Sequence, residues 1–465
     1  MALNLTLGNN VLNPAEIKLI RNAASKILEK TGIEVENKEI LEKLAEFGGT
    51  VNNSNNRVTF KQDFTEGFIR DSSKINWENR KLSFSAAAEI YQGYFLDPID
   101  DRYKEWTEQR LIDYINLAKT LPDIDGVGML GCPLKETPAS LQPLYEKLYA
   151  WKYGLMGGSA IWDTSLCPKI YEMWEVYAAE TDKKLSDIYC GVVYLISPLK
   201  FGRAESEQFI WFYKKGLSTS VGTLGSLGGT APVTLAGALA LQIAETLFIN
   251  ILERAFFGSK ALKMGTSISV IDMSSGAFQY GRPEQAILNI AGAQIARDMG
   301  AQYGGHGGLT DAKVPGHEAG VQKACSALLN ATSFGYGHIA AGLLGVDEIF
   351  SPVQMILDDE VTGAMKRLFK GFEVNDETLG LDIINEVGPG GTFLDTSHTA
   401  AHFRHSLWQP SVWSREMYSV WKNRGNKNDI DRAKEKYLSC VNRGKELKPL
   451  ISERTEKRLL QIIEK

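Results

Sequence analysis

Residues Ser218–Phe257 read STSVGTLGSLGGTAPVTLAGALALQIAETLFINILERAFF. Ser218–Gly222 is a short strand-like run, the glycines from Gly222 to Gly229 break it, and Pro232–Phe257 continues as the longest helical segment of the chain. Residues Gly216–Ala244 carry no charge, which would suit a membrane span. Gly, Ser and Thr dominate the first half of that stretch, however, and its apolar part is shorter than the roughly 20 residues a bilayer requires. A buried strand followed by a buried helix is therefore expected, with no membrane as partner.

The same unit recurs on both sides. Short apolar runs punctuated by glycine are expected as strands at Leu82–Ala88, Gly126–Leu130, Leu155–Ala160, Tyr189–Leu195, Ser218–Gly222, Leu262–Ser267, Ala301–Gly305 and Phe334–Ala340. Their spacing of roughly 25–45 residues leaves room for one helix each, the pattern of parallel strands covered by helices. Eight such units predict an α/β fold, a (β/α)8 TIM barrel, with a doubly wound open sheet as the alternative. The dinucleotide fingerprint GxGxxG does not occur as strand-loop-helix, and Gly222–Gly229 has neither its spacing nor a P-loop lysine, which weakens the alternative.

Residues 1–82 read as a helical and hairpin extension, 83–428 as the catalytic barrel, and 429–465 as a helical tail packed on it. Asn13 can cap a first helix, with Pro14 at its first position, Glu16 completing a capping box and Gly32 ending it. A second helix from Lys38 to Phe47 stops at Gly48-Gly49, and TVNNSNNRVTF, residues Thr50–Phe60, reads as a hairpin. The tail is charged and helical in period, with Leu459, Leu460, Ile462 and Ile463 on its apolar side.

The 465 residues are 44% hydrophobic and 23% charged, ordinary for a globular chain with a sizeable core. A net charge of −5, with no Lys/Arg run, argues against a nucleic-acid partner. Cys132, Cys167, Cys190, Cys325 and Cys440 are odd in number and widely spaced, so neither a disulfide framework nor a zinc knuckle is indicated. The opening MALNLTLGNN lacks the basic and apolar regions of a signal peptide. A cytoplasmic protein is expected.

All six histidines fall within Gly304–His405. His306 lies just past a candidate strand, where barrels place working residues; the alternative is a surface-loop histidine. His338 shares a strand face with Tyr336 and Ala340, and is either a hydrogen-bonded core residue or a ligand-binding group. His398, His402 and His405 share one face of a helix capped by Thr396 or Ser397. The outer two are separated by about 10 Å along the axis, too far for one zinc with ligands near 2.1 Å, so no metal site is expected.

Tyr94, Trp162, Tyr194, Tyr303, Tyr336 and Phe350 lie in or just after candidate strands. Core packing accounts for such rings in general, but converging at a barrel mouth they would suit a quaternary ammonium group through cation–π attraction. Glu245, Asp272, Glu284, Asp311, Asp358, Asp359 and Glu360 lie close to these segments, and Glu245, inside an apolar helix, is expected to be paired structurally.

Several motifs then occur in one order: EKTGIEV after the opening helix, SPL at Ser197–Leu199, GGTAPVTLAGALALQIAE at Gly228–Glu245 and DMSSGAFQYGRPE at Asp272–Glu284. DAKVPGHEAG at Asp311–Gly320, LDDE at Leu357–Glu360 and NEVGPGGTFLDTSHT at Asn385–Thr399 follow. With them the chain resembles the trimethylamine methyltransferase superfamily over nearly its whole length. The resemblance implies a (β/α)8 barrel that moves a methyl group from a methylated amine to the cobalt of a separate corrinoid protein. Trimethylamine enzymes of that family use pyrrolysine, whereas this chain has only the ordinary twenty residues. That points to the non-pyrrolysine branch, whose members resemble demethylases of glycine betaine, proline betaine, carnitine or γ-butyrobetaine.

A quaternary ammonium already carries its positive charge, so loss of a methyl group releases a neutral tertiary amine with no proton donor. The protein's task becomes desolvation, orientation and recognition of the substrate carboxylate. His306, His338 or Arg282 could meet that carboxylate by position; no residue is assigned to catalysis itself. The corrinoid motif DxHxxG is missing, since Pro315 stands where Asp would precede Gly316-His317. No cofactor is therefore expected in this chain, and a cognate corrinoid protein is the expected partner. The family also implies a homo-oligomer. Two other classes fit the same residues: a betaine-binding protein without turnover, and a metal-dependent barrel lyase or hydrolase built on the C-terminal histidines.

Overall fold

The computed structural model describes residues 10–441 and 447–465. Eight short strands fall on the eight expected runs: β1 Ser83–Ala88, β2 Gly126–Met129, β3 Met156–Gly157, β4 Gly191–Leu195, β5 Thr219–Thr223, β6 Lys263–Thr266, β7 Gln302–Gly305 and β8 Tyr336–Ala341. Every pairing among them is parallel. β8 lies on β1 from Tyr336 opposite Ser83 to Ala341 opposite Ala88, β1 on β2 and β2 on β3. An Ala160–Val192 bridge leads from β3 to β4, β4 pairs with β5 over five residues, and β6 pairs with β7.

Between β5 and β6 the contact is carried by their continuations, Gly225–Leu227 beside Ile268–Ile271. Between β7 and β8 the amide of Ala340 donates to the carbonyl of Gly308 at 3.1 Å. Helices follow the strands, and the molecule is a mixed α/β fold. β8 begins two residues later than expected because Phe334 still belongs to the helix His317–Phe334, which ends at Gly335 with φ of 87°.

The helix Leu235–Phe257 is the spine of the largest core cluster. It begins after Pro232 and Val233 instead of at Pro232 itself, with Thr234 at its N-cap. It is long and apolar enough to cross a membrane, but 83% of its most apolar window is buried inside the fold. Buried within it, Glu245 accepts from Ser197 Oγ (2.9 Å), Thr223 Oγ1 (2.6 Å) and the Leu199 amide (2.9 Å), so the carboxylate ties the corner after β4 to the helix behind it.

The N-terminal helix Pro14–Lys30 has the capping box its sequence encodes: Asn13 accepts from the Ala15 and Glu16 amides, and Glu16 reaches back to the Asn13 amide. Its buried residues Ile20, Ala24 and Leu28 join the same cluster as Leu247 and Phe248. The hairpin Thr50–Asn52 with Arg57–Thr59 is extended by Ile33–Val35 and then by Lys200–Phe201 from the loop after β4. Near the other end, Asp429–Val441 and Glu453–Glu464 bury Ala433, Tyr437, Leu459, Ile462 and Ile463 against neighbouring helices.

A polar and aromatic group at the strand ends

The alternation of a strand sends odd and even residues to opposite sides, and in β8 and β1 one side is polar. Tyr336 and His338 of β8 face Ser85 of β1. Ser85 Oγ lies 2.8 Å from the Tyr336 hydroxyl and 3.0 Å from His338 Nδ1. His338 Nε2 lies 3.2 Å from Glu89 Oε1, just past the end of β1. The ring of His338 is thus held between a hydroxyl pair on one nitrogen and a carboxylate on the other.

His306 follows β7. Its backbone is clamped, the amide donating to Thr266 O and the carbonyl accepting from Asn289 Nδ2. Its ring meets Tyr280 edge-on at 4.7 Å, and its Nδ1 is buried without a hydrogen-bond partner. Burial drives its pKa down to about 4, opposed by nearby Glu89 and reinforced by His338, so the ring is neutral near pH 7. Tyr280 is itself positioned by Asp311, whose two oxygens accept from the Tyr280 and Gly281 amides at 2.7 and 2.9 Å.

Asp347 completes the group. Val346 and Asp347 both sit at positive φ, 59° and 77°, a left-handed backbone that costs non-glycine residues of order 1–3 kcal/mol and tends to occur at functional sites. Burial raises the Asp347 carboxyl to about 6, and the charge of Glu89 adds to the rise while Lys323 opposes it. Tyr91, Tyr194 and Tyr280 lie within electrostatic reach of one another, and Asp347 acts on both Tyr91 and Tyr280. Desolvation raises the pKa of all three phenols, so they are un-ionised rings. Tyr194, on β4, is 52% exposed, a ring presented and not packed away.

Below this group Lys323 and Asp358, both fully buried, pair at 2.7 Å. Lys323 also donates to the Ala340 carbonyl, and Asp358 accepts from the Gly342 amide and Gln354 Nε2. The pair fixes the end of β8 where the chain turns toward Asp347.

Of the expected site residues, His306, His338, Tyr336 and Tyr194 fall in or beside this group. Tyr303 does not: it is buried on the other side of β7, donating to Thr266 Oγ1 and packing on Phe334. Phe350 is a core ring among Phe95, Trp106 and Tyr114. Arg282 is held by Gln279 and by Asp272 at 3.0 Å, at the start of the helix Pro283–Met299. Tyr94 sits on a small sheet beside Ile349, and Trp162 follows the Ala160 bridge; both are part-exposed. The rings of His398 and His402 lie 4.4 Å apart, while His405 borders a pocket with Arg367 and Phe372. Among the described residues no three His, Cys, Asp or Glu side chains are grouped to hold one ion.

The whole chain, residues 5–465, matches the family model described as trimethylamine methyltransferase (MTTB). The chain belongs to this family. A glycine betaine methyltransferase of Desulfitobacterium hafniense strain Y51 is 26% identical over 428 residues, which span 89% of this chain and 88% of that protein. Trimethylamine methyltransferases MttB of Desulfitobacterium hafniense DCB-2 and Methanosarcina barkeri strain Fusaro are 24% and 25% identical, each covering 92% of this chain and 88% and 89% of their own length. The crystal structure of the Methanosarcina barkeri monomethylamine methyltransferase MtmB is 10% identical, with a TM-score of 0.47 over 99% of this chain and 93% of that one.

Within this methyltransferase-family chain, Ser85, Glu89, Tyr91, Tyr280 and Asp347 are the site residues that sequence reading passed over. A usable signal existed for two of them. Glu89 and Tyr91 directly follow the first expected strand, the position at which barrels carry their chemistry. Tyr280 lay inside a quoted motif, and Asp347 was marked by nothing but a neighbouring Gly-Val.

Proposed function

We propose that this methyltransferase-family protein takes a methyl group from a quaternary amine, glycine betaine first, and passes it to a separate corrinoid protein. The observation that supports this reading is that Tyr91 and Tyr280 both feel the charge of Asp347 and the ring of Tyr194, while Tyr280 packs edge-on against His306 at 4.7 Å. Ring faces and a carboxylate are the chemistry that holds a trimethylammonium group, which cannot donate a hydrogen bond. The hydroxyls of Ser85 and Tyr336, with His338, offer donors for a substrate carboxylate.

The corrinoid supplies the cobalt that accepts the methyl group. This chain binds the amine, strips it of water and aims one methyl outward, while the C–N bonding electrons stay on nitrogen and the neutral tertiary amine leaves. No proton has to be delivered, in keeping with a neutral His306 and un-ionised tyrosines.

The framework we infer is a (β/α)8 barrel over 83–428 with extensions at 1–82 and 429–465. It is supported by the parallel contacts that lead from β8 through β1 to β7, with a single Ala340–Gly308 hydrogen bond between β7 and β8. On this reading the protein works in the cytoplasm. The test is incubation with a reduced corrinoid carrier and glycine betaine, carnitine, proline betaine, γ-butyrobetaine and trimethylamine, following the amines by proton NMR. Dimethylglycine should accumulate from glycine betaine. Turnover of trimethylamine alone, or calorimetric binding with no demethylation of any amine, would overturn it.

A further inference from the structure

β5 and β6 are neighbours, yet among the described residues they share no ladder: β5 pairs with β4, and β6 with β7. Their continuations meet farther on, where Gly225 lies opposite Ile268. Three residues before that point stand Gly222 and Gly265, neither with a side chain to close the opening.

The edge of β6 is satisfied from elsewhere. Asn250, on the helix Leu235–Phe257, donates to the Lys263 carbonyl at 2.7 Å and accepts from the Lys263 amide at 2.8 Å. These are the groups a parallel strand on that side would engage, since β7 takes the preceding residue, the Gln302 amide donating to the Leu262 carbonyl. A side-chain amide stands in for β5, so the backbone groups of Lys263 are paired while the strands remain apart.

A cavity of about 340 Å³ lies in the opening. Its lining comes from both faces of the strands. Val221 and Met264 belong to the core cluster on the helix side, whereas Gly222 and Gly265 alternate with them and face the other way. A cavity lined from both faces passes between the strands. At one end is Tyr194, whose ring lies 2.7 Å from where a Cβ on Gly222 would be, and which is within electrostatic reach of Tyr91 and Tyr280. At the other end Lys263 and Glu253 approach to 3.5 Å, with the lysine side chain 57% exposed.

The helix turns a polar stripe to this cavity. Gln242, Thr246, Asn250 and Glu253 share one of its faces, at steps of four, four and three residues. Apolar side chains in their place would pack the strands shut, at a gain of roughly 1.5–3 kcal/mol each. Asn250 is accounted for by β6; Gln242 is not. Gln242 is 2% exposed, and among the described residues its Nε2 has no hydrogen-bond partner. A buried donor left so costs about 1–3 kcal/mol, which an acceptor entering the cavity would recover.

We propose that this cleft is a side passage for a small zwitterionic amine, leading from Tyr194 to the surface at Lys263 and Glu253. The volume is at the low end of the roughly 300–1,000 Å³ of ligand pockets, which limits the traveller to a few carbons. Gln242 Nε2 and Lys263 Nζ suit its carboxylate, and the Tyr194 ring and Glu253 suit its ammonium. The direction of traffic rests on the proposed function. A carrier that takes the methyl group covers the strand ends, and the tertiary amine left behind picks up a proton from water. It then has an N–H for Glu253 that the quaternary substrate lacked, and it leaves without the carrier undocking.

Thr246 lines the cavity midway, and its Oγ1 bonds carbonyls of its own helix, so it can be changed at little cost. In Thr246→Cys, a trimethylammonium-bearing methanethiosulfonate should modify the introduced thiol within minutes under native conditions, read by mass against the wild-type cysteines, and dimethylglycine should slow the reaction. Modification only at the rate of global unfolding would overturn the passage. Thr246→Leu fills the cleft: with carrier in excess it should lower kcat about tenfold and leave single-turnover methyl transfer within about twofold, the signature of slowed product release. Thr246→Ala should match the wild type in both. Equal loss of both rates in Thr246→Leu, or an undiminished kcat, would overturn the proposal. The labelling result holds whether or not any amine is demethylated, so a closed cleft and a failed amine reading are told apart.

Discussion

On the proposed reading, Tyr280 and Asp347 serve the substrate cation in two ways. The ring of Tyr280 is fixed from below by Asp311 and from the side by His306, so its orientation does not depend on the ligand. Tyr280→Phe keeps the ring face and should leave glycine betaine affinity within about threefold, whereas Tyr280→Ala should weaken it roughly 10- to 30-fold, the ~1–2 kcal/mol of a desolvated cation–π contact. Titration calorimetry reads both. Asp347 adds pH dependence. Its carboxyl is raised to about 6, so it is ionised above that pH and neutral below it. A bound cation favours the ionised form, so affinity should fall as pH drops through about 6 and level off above 7. Asp347→Asn should bind more weakly at pH 7 and lose this pH step; a step that persists in the variant would place the titrating group elsewhere.

Among the elements, β8 carries the greatest burden, because Tyr336 and His338 stand on it and Asp347 follows it. Its end is pinned by Lys323 from the helix His317–Phe334 and Asp358 from the helix Pro352–Lys370. Lys323→Met leaves Asp358 a buried charge without its cation, which costs about 3–5 kcal/mol. Chemical denaturation should show that loss, and the double variant Lys323→Met with Asp358→Leu should recover a large part of it. The elements were well marked in the sequence: seven of the eight strands lie within two residues of where alternation of short apolar runs and helices puts them, and Met156–Gly157 stops three residues short of the expected Ala160. At β8 the boundary slipped because a helix cap decided it, at Gly335. The inward or outward choice of each ring was not marked. Tyr303 and Tyr194 both sit mid-strand, but Tyr303 points back into Phe334 and Thr266 while Tyr194 is exposed.

At the scale of the molecule, the N-terminal layer is not an appendage. Ile20, Ala24 and Leu28 bury against the helix that runs behind β5 and β6, and Arg21 reaches Asp298 and Glu66. Removing residues 1–80 would strip the cover from Leu247, Phe248 and Ile251. The truncated chain should aggregate, visible as light scattering at concentrations where the full chain stays clear. A soluble, active truncation would show that the strand–helix body holds its core without this layer.

From sequence alone came what local chemistry sets: the strand–helix rhythm, the Asn13 capping box, the want of a corrinoid motif, the structural pairing of Glu245, and a family resemblance that the whole-chain match bears out. These depend on residues close in the chain, or on motifs whose order survives without coordinates. The tertiary structure was needed for the site. Ser85, Glu89, Tyr91, Tyr194, Tyr280, His306, His338 and Asp347 are spread over some 260 positions, and it is the wrapping of β8 onto β1 that carries His338 to Ser85 and Glu89. Nothing local records that pairing, because parallel strands are joined through long crossovers.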